Sequence, residues 1–161
     1  MKFFTRILKS AVYAPMFLLC FGWIASGLRV FDQRIGIILT DWTRLTGIIV
    51  MGLGGILGFL CILVFITRGR GTPAPFDPPV LFVASGPYTY VRNPMYIGGF
   101  IIWEGFGLYH HSISIIIFSV LLFIVFHLFV VFYEEPVLER QFGKSYTDYK
   151  KRTNRWLPKW K

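Results

Sequence analysis

The strongest constraint on this chain is an uncharged apolar stretch at residues 113–133. As a helix, these 21 residues would rise roughly 31 Å, enough to cross a bilayer. Residues 11–28 and 45–66 are similar stretches, whereas residues 96–109 are shorter and contain Glu104. Because 55% of the residues are hydrophobic and 16% are charged, we predict an all-α membrane protein, one domain over residues 1–161, with about four transmembrane helices.

Small and polar residues refine this prediction. Gly54 and Gly58 have the spacing that lets two membrane helices approach closely. The third segment is short and contains Glu104, so we expect this helix to be tilted or buried by its neighbours. A signal peptide is the competing interpretation of residues 11–28, because basic residues precede them. Their apolar length favours a transmembrane helix.

The distribution of Lys and Arg predicts the orientation. Of the 17 basic residues, 14 lie before the first segment, between the second and third, or after the fourth. The positive-inside rule therefore places both termini in the cytoplasm, at the inner membrane if the source is bacterial. The same side would carry the connection at residues 67–95, which its glycines and prolines make irregular. We expect the lipid bilayer as partner and no nucleic acid.

The tail combines an apolar periodicity with a basic run. The apolar residues at helical spacing are Leu138, Phe142, Tyr146 and Tyr149, and the basic run contains Lys150, Lys151, Arg152 and Arg155. We predict a C-terminal amphipathic helix that lies on anionic lipid. The two cysteines, Cys20 and Cys61, form no metal-binding pattern, so no metal site is predicted.

Two short motifs carry the candidate chemistry. Residues 91–98 read Val-Arg-Asn-Pro-Met-Tyr-Ile-Gly at the start of the third segment, and Glu134-Glu135-Pro136 follows the fourth. Asn-Pro favours a turn, and Pro and acidic residues favour a helix start, so each motif has a purely structural explanation. A hairpin of the last two segments would nevertheless bring Glu134 and Glu135 close to Arg92 and Asn93.

Taken together, the motifs resemble the signature of the isoprenylcysteine carboxyl methyltransferase and phospholipid methyltransferase superfamily, over about residues 86–158. Residues 142–152 and the later Leu157-Pro158 look most like the isoprenylcysteine branch. The resemblance implies an integral membrane enzyme that uses S-adenosylmethionine. The cofactor-binding residues that it implies are Arg92, Asn93, Pro94, Tyr96, Gly98, Glu134 and Glu135. The superfamily usually has His where this chain has Asn93. Asn can donate and accept hydrogen bonds but does not titrate as His does, so catalytic proton transfer by this position is excluded.

The residue types suit that cofactor. Carboxylates can bind its sulfonium, amino group and hydroxyls, and a guanidinium can bind its carboxylate. The rings of Tyr88 and Tyr96 can contact the adenine or the sulfonium. The candidate catalytic residues are Glu134, Glu135 and Arg92, with a carboxylate as the base if the acceptor is an amine or a thiol. The candidate substrate-binding residues, Arg152 and Arg155, have lipid headgroups as their alternative ligands.

The acceptor stays open at this point. It is lipid-like or apolar, and a carboxylate, a phospholipid amine and a thiol are all compatible with the motifs. Two other classes remain as alternatives. One is an NADPH-dependent membrane reductase of the sterol reductase type, and the other is a non-enzymatic membrane adaptor. If the protein is an enzyme, alanine at Arg92 or Glu135 should abolish activity while leaving the folded yield largely intact.

Overall fold

The computed structural model describes residues 3–37, 39–70 and 80–159. Within these ranges the chain forms helices and connections and no β-strand, which confirms the all-α prediction. The helices are α1 (Phe3–Leu28), α2 (Asp32–Ile35), α3 (Thr43–Val64), α4 (Pro94–Tyr109), α5 (Ile113–Phe129), α6 (Glu135–Phe142) and α7 (Lys144–Arg152).

Three helical stretches are long and apolar enough to cross a membrane, which makes this an integral membrane protein. They are Ile7–Ile35, Thr43–Gly69 and Ile113–Phe142, and they contain the predicted segments 11–28, 45–66 and 113–133. The fourth predicted segment, residues 96–109, lies within α4. At 16 residues, α4 rises about 24 Å, less than a hydrocarbon core of about 30 Å. The fourth crossing therefore stays a prediction.

Glycines bring α3 and α4 into direct backbone contact. A Cβ atom added at Gly54 would lie 2.7 Å from the carbonyl oxygen of Gly98, and one added at Gly47 would lie 2.6 Å from that of Gly105. A Cβ atom at Gly98 would in turn lie 3.1 Å from the amide nitrogen of Gly58. The contacts Gly54–Gly98 and Gly47–Gly105 are two helical turns apart in each helix, and the residue numbers fall along α3 as they rise along α4. The close approach predicted at Gly54 is confirmed, and α3 and α4 form an antiparallel pair. A Cβ atom at Gly58 would meet nothing within 4 Å, so the second glycine that the contact requires on α3 is Gly47, not Gly58.

The helix that contains the two adjacent glutamates changes its winding in the turn that ends at the first of them, Glu134. α5 continues into α6 through a π-helical turn at Val130–Glu134, in which the Glu135 N–H donates to the Val130 carbonyl. Pro136 has no N–H and cannot donate to an α-helical acceptor. The wider turn lets the helix continue without that hydrogen bond, and it changes the direction in which the following side chains point.

The first helix packs on the fifth. The rings of Phe17 and Phe21 contact Phe126, with centroids 6.0 and 6.4 Å apart, and Phe21 also contacts Phe118. After α1, the Asp32 carboxylate accepts a hydrogen bond from the Ser114 N–H at 2.9 Å, at the start of α5. Within α4, Glu104 pairs with the hydroxyl of Ser119 on α5.

The tail differs from the single lipid-bound helix that its periodicity predicts. Gly143, with φ of 51°, separates α6 from α7. On α7, Tyr146 and Tyr149 are 3% and 5% exposed, and both rings contact Phe82 of the connection before α4. The apolar face of α7 is therefore buried against the protein, because Phe82 supplies an apolar surface there. Residues 71–79 of that connection lie outside the described residues.

Candidate functional site

The site is formed where the start of α4 meets the segment after α7. Val91 and Asn154 form a parallel β-bridge. The Arg92 N–H donates to the Asn154 carbonyl at 2.8 Å, and the Asn93 N–H donates to the Arg155 carbonyl at 3.3 Å. These hydrogen bonds fix two segments 62 residues apart in the chain and bring their side chains to the end of α5.

Glu135 is the centre of the resulting charge cluster. Its carboxylate accepts from Arg92 Nη2 at 2.8 Å, from Arg155 Nε at 2.8 Å and from Arg155 Nη2 at 3.0 Å. Lys150 Nζ lies 3.5 Å from the second oxygen and also pairs with Glu139. Since the Glu135 side chain is only 5% exposed, these cations compensate for the hydration that the carboxylate loses.

Arg92 connects the carboxylate to the tail backbone. Its Nη1 donates to the carbonyls of Thr153 at 2.7 Å and Lys150 at 3.3 Å, while Nη2 binds Glu135. The third guanidinium nitrogen, Nε, is buried and has no hydrogen-bond partner. An unpaired buried donor is costly, so this N–H is available to a ligand.

Glu134 has different surroundings from Glu135. It accepts a hydrogen bond from the Tyr96 hydroxyl at 2.7 Å, and no cation among the described residues pairs with it. The Tyr96 ring packs against Phe126 and Trp156, with centroids 5.2 and 6.4 Å away. Trp156 is fixed by its indole N–H, which donates to His127 Nδ1 at 2.9 Å. Aromatic side chains thus line one side of this carboxylate.

Protonation in the cluster follows from pairing and burial. The hydrogen bond to Glu135 raises the pKa of Arg155, which stays charged at any physiological pH. Burial raises the pKa values of Tyr88 and Tyr149 above the usual range of tyrosine. Tyr149 is therefore a neutral donor, and its hydroxyl binds the Tyr88 carbonyl at 2.5 Å.

Most of the predicted site residues meet in this cluster. Those brought together are Arg92, Asn93, Tyr96, Glu134, Glu135 and Arg155. Pro94 forms the first turn of α4. The other three lie elsewhere. Gly98 is in the contact with α3, and the Tyr88 ring packs with Cys61 and Val83. Arg152 is exposed and donates to the Asp148 carbonyl.

Three further residues of the site, Lys150, His127 and Trp156, were not predicted there. Lys150 belongs to a basic run, and nothing in the spacing of that run indicates which acidic residue each of its members contacts. The apolar segment predicts for His127 a hydrogen bond across helices, and its partner is instead Trp156 of the tail. Asn93 is buried, and its side-chain amide donates to the Arg155 carbonyl at 3.5 Å, so it helps to fix the tail.

Comparison with known proteins adds the family. No curated protein matches the chain at a significant level. The sequence profile of the phospholipid methyltransferase family matches residues 42–145, which is more than half of the chain. The matched part includes Arg92, Tyr96, Glu134 and Glu135, and ends before Arg155. The match and the resemblance of the two motifs agree, and the chain belongs to the phospholipid methyltransferase family.

Proposed function

We propose that the protein transfers a methyl group from S-adenosylmethionine to a lipid acceptor at the cluster around Glu134. The observation that carries this proposal is the unequal bonding of two adjacent carboxylates. Glu135 is neutralised by Arg92 and Arg155, whereas Glu134 is bound by the Tyr96 hydroxyl. One carboxylate thus has a structural role and the other is available for chemistry. The family match favours this function over a reductase or an adaptor.

The donors and acceptors fit the cofactor. The buried Arg92 Nε–H, which has no partner, can donate to its carboxylate. The second oxygen of Glu134 can accept from its amino group or hydroxyls. The rings of Tyr96 and Trp156 offer faces to a sulfonium. When bound, S-adenosylmethionine supplies an electrophilic methyl group. Asn93 orients the tail here and transfers no proton, because an amide does not titrate.

Glu134 favours an amine as the acceptor. A primary or secondary amine loses one proton when it gains a methyl group, and the Glu134 carboxylate can accept that proton. A carboxylate acceptor, as on an isoprenylcysteine, needs no base and would be repelled by Glu134. We therefore favour a phospholipid with an amine headgroup, with the isoprenylcysteine type as the alternative. Arg152, which is exposed, is available for the phosphate of such a headgroup.

The aromatic wall limits water at this position. Tyr96, Phe126 and Trp156 are in ring contact, and Trp156 also packs on Phe123, with centroids 4.7 Å apart. A dry site strengthens the attraction between Glu134 and a cationic ligand and keeps the methyl group from reacting with water. The wall lies between α4 and α5, so an apolar acceptor can approach from the bilayer.

The geometry also supports four crossings with both termini in the cytoplasm. The hydrogen bond between Arg92 and Glu135 places the start of α4 and the end of α5 at the same end of the bundle. α4 therefore leads away from this end and α5 returns to it. S-adenosylmethionine is a cytosolic cofactor, and the excess of basic residues assigns this end to the cytoplasm.

Transfer of a labelled methyl group tests the proposal. Detergent-purified protein is incubated with methyl-labelled S-adenosylmethionine and, separately, with an ethanolamine phospholipid or a farnesylated cysteine derivative. We expect label in the phospholipid, and a rate about 100-fold lower for Glu134→Gln if Glu134 is the base. The matched control is Glu139→Gln, a partly exposed glutamate one turn further along the helix, which should retain most of the activity.

Three results would contradict parts of this proposal. Label in the farnesylated cysteine alone would assign the isoprenylcysteine type. Full activity in Glu134→Gln would remove the base. The methyltransferase proposal itself would fail if neither acceptor is labelled and calorimetry detects no binding of S-adenosylmethionine to the folded protein.

A further inference from the structure

An open groove lies between α1 and α4, away from the charge cluster. Its volume is about 490 Å³. The α1 side is formed by Leu18, Gly22, Trp23 and Ser26, and the α4 side by Trp103 and Phe106. Gly22 lies opposite the Trp103 ring, and a Cβ atom added there would be in van der Waals contact with the ring edge, at 3.6 Å. Both walls belong to apolar helices at membrane depth, so the groove faces hydrocarbon, not water.

The groove ends at basic residues. Along α1, Gly22 and Ser26 are four residues apart, and Arg29 follows three residues later on the same stripe. Along α4, Phe106 is followed after four residues by His110, and their rings are 4.4 Å apart. Both walls therefore lead toward the same end of the bundle, which carries a guanidinium on one side and an imidazole on the other.

A second arginine joins this end from α3. Arg44 Nη2 donates to the Tyr109 hydroxyl at 3.0 Å, and its guanidinium lies 4.8 Å from the centre of the Tyr109 ring. Burial and the charges of Arg29, Arg44 and His111 lower the pKa of the neighbouring His110. The charges of both arginines therefore reach His110. The Asp32 carboxylate, which also lies near this end of the bundle, accepts a hydrogen bond from the Ser114 N–H.

We propose that this groove binds one phospholipid, with an acyl chain between α1 and α4 and its phosphate at Arg29 and Arg44. An apolar channel that ends in two guanidinium groups matches the shape and charge of such a lipid. The site lies at the opposite end of α4 from Arg92, about 24 Å along the helix axis. It is therefore separate from the proposed methyl-transfer site, and binding there can be measured without activity.

Native mass spectrometry of the delipidated, detergent-purified protein tests the headgroup assignment. The probes are dioleoyl phosphatidylglycerol and dioleoylglycerol, which differ in the phosphate headgroup. We expect one phosphatidylglycerol per protein and at least about tenfold weaker binding by Arg29→Gln/Arg44→Gln. The matched control is Arg34→Gln, an exposed arginine of the same connection, which should bind like wild type. Equal binding of both lipids by wild type would overturn the phosphate assignment.

Two glycines of α1 test the groove. Gly22→Leu would fill the groove, whereas Gly27→Leu adds the same side chain where a Cβ atom meets nothing within 4 Å. We expect Gly22→Leu to lose the bound lipid and Gly27→Leu to retain it. Equal retention by both variants would overturn the proposal. Size-exclusion profiles and helix content report folding, and if the double arginine variant does not fold, Arg29→Gln and Arg44→Gln are measured singly against the same criterion.

Discussion

Replacing Glu135 by alanine should separate the anchoring role of this carboxylate from any role in chemistry. The substitution removes the common partner of Arg92, Arg155 and Lys150. Arg92 is the cation that water can compensate least, because its side chain is only 9% exposed, whereas the side chains of Arg155 and Lys150 are 28% and 31% exposed. The cost of the substitution should therefore come mainly from Arg92.

The magnitude follows from burial. Removing one partner of a buried ion pair costs about 3–5 kcal/mol, since the remaining charge is left without compensation. Partly exposed pairs contribute about 0–1 kcal/mol. Arg92 keeps two backbone carbonyl acceptors, so we expect the lower end, about 3 kcal/mol. Glu139→Ala, which breaks a partly exposed pair with Lys150, should cost at most about 1 kcal/mol.

The assay is reversible unfolding in mixed detergent and SDS micelles, followed by far-UV circular dichroism, with a double-mutant cycle. Arg92→Ala and Glu135→Ala should be coupled by about 2 kcal/mol or more. Arg155→Ala and Glu135→Ala should show a smaller coupling. Limited trypsin digestion should also cleave after Arg155 sooner in Glu135→Ala, because the tail loses its anchor. The anchoring role would be refuted if the free energy of unfolding of Glu135→Ala lies within about 0.5 kcal/mol of wild type and Arg155 is still protected from trypsin.

Three further results are expected. Gly54→Leu should lower the free energy of unfolding by about 2–3 kcal/mol in the same assay, because its Cβ atom would lie 2.7 Å from a backbone oxygen. The control is Gly52→Leu, whose Cβ atom would meet nothing within 4 Å and which should change the free energy of unfolding by less than about 0.5 kcal/mol. Trp156→Phe should cost about 1 kcal/mol by removing the N–H that donates to His127. No measurable cost would show that this hydrogen bond does not stabilise the fold. Burial raises the pKa of Tyr149, so the unfolded chain releases the hydroxyl proton near pH 10 while the folded chain retains it. The free energy of unfolding should therefore fall above about pH 10, and it should fall less steeply in Tyr149→Phe.

The membrane segments could be predicted from sequence because a bilayer imposes a length and an apolar composition on any helix that crosses it. A close approach of α3 to another helix was also predictable from its glycines, although the spacing of Gly54 and Gly58 did not identify α4 as the partner or Gly47 as a contact. The same holds for the proximity of Glu135 and Arg92, which a hairpin of two consecutive helices requires. Their nitrogen and oxygen atoms are 2.8 Å apart.

The different bonding of the two glutamates could not be predicted. It depends on the π-helical turn at Val130–Glu134, which sequence periodicity does not show, although Pro136 indicates that an α-helical hydrogen bond is missing. The position of Arg155 depends on the turn at Gly143 and on backbone pairing with residues 91–93. A basic run by itself suggests only lipid headgroups. For this reason the sequence predicts that Glu135→Ala folds normally, whereas the structure predicts a loss of stability.

The backbone pairing of Arg92 with Asn154 has a consequence for the order of assembly during synthesis. The helical hairpin α3–α4 needs only residues up to the end of α4, so its glycine contact can form before the C-terminal tail has left the ribosome. The charge cluster cannot close until Arg155 has left the ribosomal exit tunnel. Until then Glu135 has Arg92 as its only arginine partner, so the newly inserted protein passes through a stage in which its membrane helices are packed and its site is still open.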